Sequence, residues 1–273
     1  MNSEELAWKI RRYSIEMTHI SGGSHIASAL SIADIMGVLY NDIMNIYPDE
    51  PQNDNRDRFI LSKGHAGVAV YAVLAEKGFF DTKLLKTYYA NGSKLSGHLS
   101  HKNVPGVEFS TGSLGHGACV AAGIAMAGKI KNKNYRVFTL IGDGECNEGS
   151  IWEMALFANH YKLSNFTVII DHNKLQSLDT CENTLELIDL SAKWRCFGWH
   201  VLEIDGHNHS EIKKALLTRD KSKPICIIAN TIKGKGVSFM ENQVLWHYRD
   251  PQGEDYVNAI KELEEIMQCE INL

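Results

Sequence analysis

The sequence predicts an α/β fold, a parallel sheet with helices on both faces. Two observations point there. Short, almost wholly apolar runs alternate with helical stretches through the second half of the chain, and each of the first two such runs ends in a turn rich in Gly, Asp or Asn. Strands apolar on both sides belong in a sheet covered on both faces, which is how parallel sheets are built. At 273 residues, 44% hydrophobic and 22% charged, the chain has ordinary globular usage and the length for one large α/β domain or two small ones.

Taken in order, residues 3–20 and 32–43 carry apolar side chains at three- and four-residue spacing and are predicted helices. Between them Ser21-Gly22-Gly23-Ser24-His25 is a polar, Gly-bearing loop suited to approach a ligand. Residues 84–116 read as irregular, and a stretch this long is usually functional or disordered; because it holds His98, His101 and His116, function is the expectation. A helix is expected over 117–131. Val137–Ile141 is a strand ending in Gly142-Asp143-Gly144, followed by a helix at 149–163. Phe166–Ile170 is a second strand, ending in Asp171-His172-Asn173. A helix near 187–197, a strand at 200–204, a helix at 208–219 and a last strand at 225–229 complete the alternation. Residues 254–268 form a charged amphipathic helix, read as a solvated face with one apolar stripe. No repeat or linker divides the chain, so 1–273 is expected to be a single domain with 254–273 as its C-terminal helix and tail.

The net charge of −5 offers no basic surface for nucleic acid or an anionic membrane. An anionic ligand would need locally placed donors. None of the six cysteines forms a C-x-x-C pair, which argues against a zinc or redox motif. The acidic start is unlike a signal peptide, and no apolar run nears the roughly 18 residues of a membrane span. A reducing cytoplasm is the expected location.

In doubly covered parallel sheets, ligands sit beyond the carboxyl ends of the strands. Gly142-Asp143-Gly144 and Asn173 both fall there. The glycines allow a sharp turn that brings N–H groups close to a phosphate. Asp143 supplies a carboxylate oxygen and Asn173 an amide oxygen, the hard ligands that Mg²⁺ or Ca²⁺ prefers. The carbonyl of Leu175 lies near enough in sequence to join them. A helix opening near Gly149 would turn its positive end to the anion. Lys233-Gly234-Lys235-Gly236 lacks the full phosphate-loop pattern; it reads as a turn that presents His247, with its lysines either solvated or engaged.

The run Gly142 to Gly149, continuing to Asp171-His172-Asn173, resembles the thiamine-diphosphate motif of transketolases. So do Leu61-Ser62-Lys63-Gly64-His65, Thr111-Gly112-Ser113-Leu114-Gly115 and the Ser-Gly-Gly-Ser-His entry at 21–25. The matches run in order from about residue 7 to residue 250, and resemble the N-terminal, diphosphate-binding domain alone. The resemblance implies that Asp143, Asn173 and the carbonyl of Leu175 hold Mg²⁺ or Ca²⁺. It implies that the Gly144 N–H, His65 and His247 contact the diphosphate. Gly112, Ser113 and Leu114 would line the cofactor, with Gly142 and Glu145 beside it. His25 and His98 would meet the sugar at its carbonyl and first hydroxyl, with His247 also touching substrate. Glu148 and Glu153 match acids that link paired sites across a subunit interface; as plain residues they also suit a surface. His116 stands where long transketolases usually have Gln, and serves either there or simply as a hydrogen bonder of its loop. His101, His160, His207 and His209 read as ordinary.

The family also needs a pyrimidine-binding domain that carries the activating glutamate. Nothing after residue 250 has the ~100 residues of another α/β domain. A separate subunit is therefore expected to supply it, in a hetero-oligomer of two copies of each chain. The expected activity is transfer of a two-carbon ketol unit between sugars or sugar phosphates. The alternatives are a deoxyxylulose-phosphate-synthase-like or other specialised carboligase, and a non-catalytic subunit that kept the fold.

Overall fold

The computed structural model describes the backbone of residues 1–271 and the side chains of residues 1–268; residues 272 and 273 of the expected tail, and the Cys269 thiol, lie outside the described residues. The sheet has five strands: β1 (Arg58–Leu61), β2 (Val137–Gly142), β3 (Phe166–His172), β4 (His200–Asp205) and β5 (Ile225–Asn230). They run in the order β1-β2-β3-β5-β4, and every pairing is parallel. The expected parallel α/β architecture is what the chain adopts.

Side chains alternate across this sheet as a two-faced strand requires. In β5, Ile225, Ile227 and Ala229 enter one core, while Cys226 and Ile228 enter the other. The first face is covered by α1 (Ser3–Ser21), α3 (Ala33–Val38), α4 (Gly67–Glu76) and α9 (His209–Leu217). The second is covered by α5 (His116–Ile130), α6 (Gly149–His160) and α8 (Leu190–Cys196). A smaller core joins α2 (Ile26–Leu30) and α10 (Glu254–Ile271) to Val237, Met240 and Trp246. The short α7 (Cys181–Leu185) lies in the loop after β3.

Local chemistry explains the boundaries. Asn2 caps α1 by accepting from the Glu5 N–H at 2.7 Å, and Gly22, at φ 65°, ends it. The helix expected to reach 163 stops at His160, and Lys162 turns left-handed at φ 50°. The helix expected over 187–197 begins only at Leu190, where Asp189 caps it through the Ala192 N–H. The helix expected over 32–43 is α3 continued by a wider π turn over Leu39–Ile43.

Four elements escape the periodicity, the five-residue helices α2 and α7 together with β1 and α4. Strand β1 is only four residues long. Helix α4, Gly-Val-Ala-Val-Tyr-Ala-Val-Leu-Ala-Glu, is buried along residues 67–75 and so carries no polar stripe to mark it. The segment 84–116 is irregular beyond a 3₁₀ stretch at Thr82–Thr87, yet it is pinned to the end of β1. Leu99 N–H donates to the Gly64 carbonyl at 3.0 Å, Thr111 N–H to that of Leu99, and the Thr111 hydroxyl to that of Leu61.

Candidate active site

The site is assembled where β1, β2, β3 and β5 end. Gly142 pairs with Asp171 in register, so β2 and β3 finish side by side. This places Asp143 and Asn173 at neighbouring strand tips, both buried. They open on a cavity of about 270 Å³ whose lining includes His25, Lys63, His65, His98, Lys233 and His247. Gly112, Leu114, Gly142, Gly144, Glu145 and Leu175 complete the expected part of that wall. A larger cavity of about 660 Å³ shares Asp143, Asn173 and Leu175 from the other side.

Asp171 organises the floor. Its carboxylate accepts from Lys63 Nζ, Ser31 Oγ, Asn173 Nδ2 and Thr231 Oγ1. Burial acts upward on this acid, but the charge and hydrogen bond of Lys63 outweigh it and hold Asp171 below the usual carboxylate range. Asn173, its Nδ2 thus committed, turns Oδ1 to the Leu175 N–H at 3.1 Å. Asp143 accepts from the N–H groups of Gly144 (2.7 Å) and Lys174. Burial, and then the charge of Asp171, push the Asp143 carboxyl up. A bound cation would reverse that shift.

The histidines form one group. Ring centroids of His25 lie 5.2 Å from His65, 5.5 Å from His98 and 4.8 Å from His247. The His25 N–H donates to the His247 carbonyl at 2.8 Å. Burial first, and positive or imidazole neighbours second, lower His25 to about 4 and His247 to about 3, and hold His65 well below its ordinary value. Burial alone lowers His98. At neutral pH these are uncharged imidazoles, each with one donor and one acceptor. His25 Nδ1 and Gln176 Nε2 are buried without a hydrogen-bond partner among the described residues. Both belong to residues of the cavity wall.

The lysines are what the sequence left undecided. Lys63 is 2% exposed and Lys233 1% exposed, so the reading of Lys233 as solvated is corrected. Lys63 Nζ binds Asp171 and the Ser28 carbonyl. Lys233 Nζ binds the carbonyls of Leu175 (3.2 Å) and Gln176 (3.0 Å) and lies 3.0 Å from His247 Nδ1. Burial, then the nearby Lys63 charge, bring Lys233 down to about 8. A Leu-Ser-Lys-Gly-His run and a Lys-Gly-Lys-Gly run flag both residues in the sequence, but not their burial.

Other expected residues fall less centrally. The Glu145 carboxylate is spent on Ser62 Oγ and the N–H groups of Gly115 and Gly142, so it ties three loops together. Ser113 is exposed and outside the cavity lining, while Glu148 and Glu153 are exposed at the start of α6. His116 Nδ1 lies 3.0 Å from the Leu114 carbonyl, a bond within its own loop. His207 and His209, read as ordinary, instead grip the buried Asp34.

This donor set fits a metal-held diphosphate. Hard oxygens stand at two strand tips and two buried ammonium groups supply local positive charge; the Gly144 N–H, expected on the diphosphate, is here donated to Asp143 Oδ1. A Cβ on Gly144 would come within 2.9 Å of Gln176 Cγ. Such a fold and site define a diphosphate-cofactor domain of the thiamine type. Residues 2–265 match the family model described as "Transketolase, thiamine diphosphate binding domain", and the chain belongs to that family. It is 42% identical over 259 residues to one of the subunits of the apulose-4-phosphate transketolase of Phocaeicola vulgatus, covering 94% of this chain and 92% of that one. It is 41% identical over 257 residues to the 6-deoxy-6-sulfo-D-fructose transketolase subunit SqwG of a Clostridium species, covering 93% and 94%. Among solved structures it matches the transketolase of Campylobacter jejuni with a TM-score of 0.89 and 31% identity, over 97% of this chain but 43% of that one.

Proposed function

We propose that this chain is the diphosphate-binding subunit of a thiamine-diphosphate-dependent transketolase. It would move a two-carbon ketol unit from a ketose, or ketose phosphate, to an aldose or its phosphate. The observation that carries this is the placement of Asp143 and Asn173 at adjacent strand tips, in one cavity with two buried lysines and four uncharged imidazoles.

Asp143, Asn173 and the Leu175 carbonyl would hold Mg²⁺ or Ca²⁺. His65, His247 and the Gly144 N–H would contact the diphosphate, and Gly112 and Leu114 would shape the space beside it. When bound, thiamine diphosphate supplies the carbon nucleophile and electron sink for breaking the bond beside a ketose carbonyl. His25 and His98 would hydrogen-bond the ketose carbonyl and first hydroxyl and exchange protons there, as neutral imidazoles do near pH 7. Their charge-free state suits a cavity that already holds two ammonium groups. Glu148 and Glu153, exposed on α6, would meet the neighbouring site across a subunit interface.

The two relatives named as subunits match this chain almost end to end, whereas the chain spans less than half of the solved transketolase. This supports a partner subunit, which would bear the pyrimidine-binding domain and activating glutamate; the complex would assemble two plus two, in the cytoplasm. Residues 1–273 would act as the single diphosphate-binding domain. A specialised sugar is the expected substrate, in keeping with those relatives. The presence of His25 and His98 together in the cavity favours ketol transfer over a deoxyxylulose-phosphate-synthase-like carboligation. The intact Asp143 and Asn173 favour a catalytic over a merely structural subunit.

The direct test is Asp143→Ala in the assembled complex. Metal-dependent binding of thiamine diphosphate and ketol transfer should both be lost. Undiminished cofactor affinity in that variant rules the reading out.

A further inference from the structure

On the far side of the Lys233 loop a second group of charges is buried. Asp34 of α3 accepts both terminal nitrogens of Arg11, one at 2.9 Å and one at 2.5 Å, together with His207 Nδ1 at 2.7 Å and His209 Nε2 at 3.2 Å. Burial acts upward on this acid, but Arg11 and the two histidines outweigh it and hold Asp34 well below the ordinary range. A cavity of about 480 Å³ opens beside the group, but among the described residues no buried side chain there is left without a partner to mark it as a ligand site.

The outward connections matter more. His207 Nε2 accepts the Ile232 N–H at 2.8 Å, and Arg11 Nε donates to the Lys235 carbonyl at 3.1 Å. An imidazole nitrogen that accepts from an amide carries no proton, so the proton is on Nδ1 and is donated to Asp34. The backbone is thus gripped one residue before Lys233 and two residues after it. Between the two grips, Gly234 turns left-handed at φ 83° with the Met240 carbonyl too close for any Cβ. The Lys233 side chain leaves this fixed segment for the carbonyls of Leu175 and Gln176 and for His247. Asp34 lines the far cavity and not the cofactor cavity, so it acts on that cavity only through other groups, and the loop is the one it holds by hydrogen bonds through His207 and Arg11.

We propose that Asp34 and His207 form a strut that sets where the Lys233 ammonium stands, making His207 a positioning residue for the diphosphate cavity. The consequence for cofactor rests on the function proposed above; the consequence for His247 does not. A lysine stem has four rotatable bonds and finds one place only if its backbone is immobile. A loss of reach here acts as outer-shell changes do, on affinity through a group that makes the contact itself.

The test uses four variants in the partner-complemented complex, with equilibrium binding of thiamine diphosphate at saturating Mg²⁺ as the readout. His207→Asn keeps an amide for Asp34 but is too short to reach Ile232, and should weaken binding about tenfold. His207→Gln places an amide oxygen where Nε2 stood and should recover most of that loss. In a Lys233→Met background His207→Asn should cost less than about twofold, because the group it positions is gone. A glutamine variant no better than asparagine, or a loss that persists in full without Lys233, overturns the strut. The ring ¹⁵N shifts of His247 give a second readout on the free chain without cofactor. They should move in His207→Asn towards their Lys233→Met values, and unmoved shifts overturn the strut as well. If the wild-type complex binds no thiamine diphosphate while these shifts still move, it is the proposed function that fails and the strut that stands.

Discussion

Lys233 Nζ lies 3.0 Å from His247 Nδ1, an ammonium hydrogen-bonded to an uncharged imidazole in the cavity at the strand tips. The ammonium can only donate, so Nδ1 accepts and the His247 proton is on Nε2. Burial lowers His247 most, and the Lys233 charge comes next. Lys233→Met should therefore raise the His247 pKa from about 3 but leave it below the ordinary 6.5, since burial remains. Histidine-ring NMR titration measures this directly; an unchanged value would show that the contact is not kept in solution.

Acid should destabilise the chain well before its carboxylates protonate. His25 and His247 fall to about 4 and 3 in the folded state, against 6.5 as free groups. Between these limits the unfolded chain binds more protons than the folded one, so stability is fully present above pH ~6.5 and drains away as pH falls towards 4. Thermal melts of the chain should show Tm dropping steadily below pH 6. A flat Tm from pH 7 to 4.5 contradicts the burial of these imidazoles.

Lys63→Met should be severe. It leaves Asp171 buried with its charge uncompensated, and breaking one side of a buried pair costs about 3–5 kcal/mol. A urea midpoint lowered accordingly, with an unchanged slope, is the expected result. The hydroxyls of Ser31 and Thr231 and the Asn173 amide still bind Asp171, so a cost near the lower figure is consistent.

Two glycines should respond in opposite directions. A Cβ on Gly64 would sit 2.4 Å from the Thr111 carbonyl oxygen, and backbone cannot step aside, so Gly64→Ala should cost about 2 kcal/mol or more. Gly123 lies inside α5 with nothing within 4 Å of such a Cβ. Gly123→Ala should stabilise by about 0.5–1 kcal/mol on helix propensity. Chemical denaturation of the two variants side by side checks both signs.

Much of this was legible in the sequence, and each exception has its own physical cause. Strands β2, β3 and β5 announce themselves as apolar runs, and the turn residues after β2 and β3 mark Asp143 and Asn173. Strand β1 is too short to show a pattern, and α4 is buried all round, so its periodicity is erased. The histidines His25, His65 and His98 were singled out by their Gly-bearing loops and by the resemblance, and the structure brings them with His247 to one cavity. The burial of Lys63, Asp171 and Asp34 was not legible, because a buried charge is tolerated where a partner far along the chain neutralises it, and Lys233 is held by carbonyls some 57 positions away. Asp34 and His207 are 173 positions apart, and Lys63 and Asp171 are 108 apart. No local spacing records such a pairing.

His25 occupies the left-handed region at φ 72°, where a side chain is disfavoured. If shape alone governed the position, glycine would sit there more comfortably. The residue is kept in an awkward posture, braced by its backbone N–H on the His247 carbonyl. Glycine there would ease the backbone and take away the ring that the proposed function sets against the sugar.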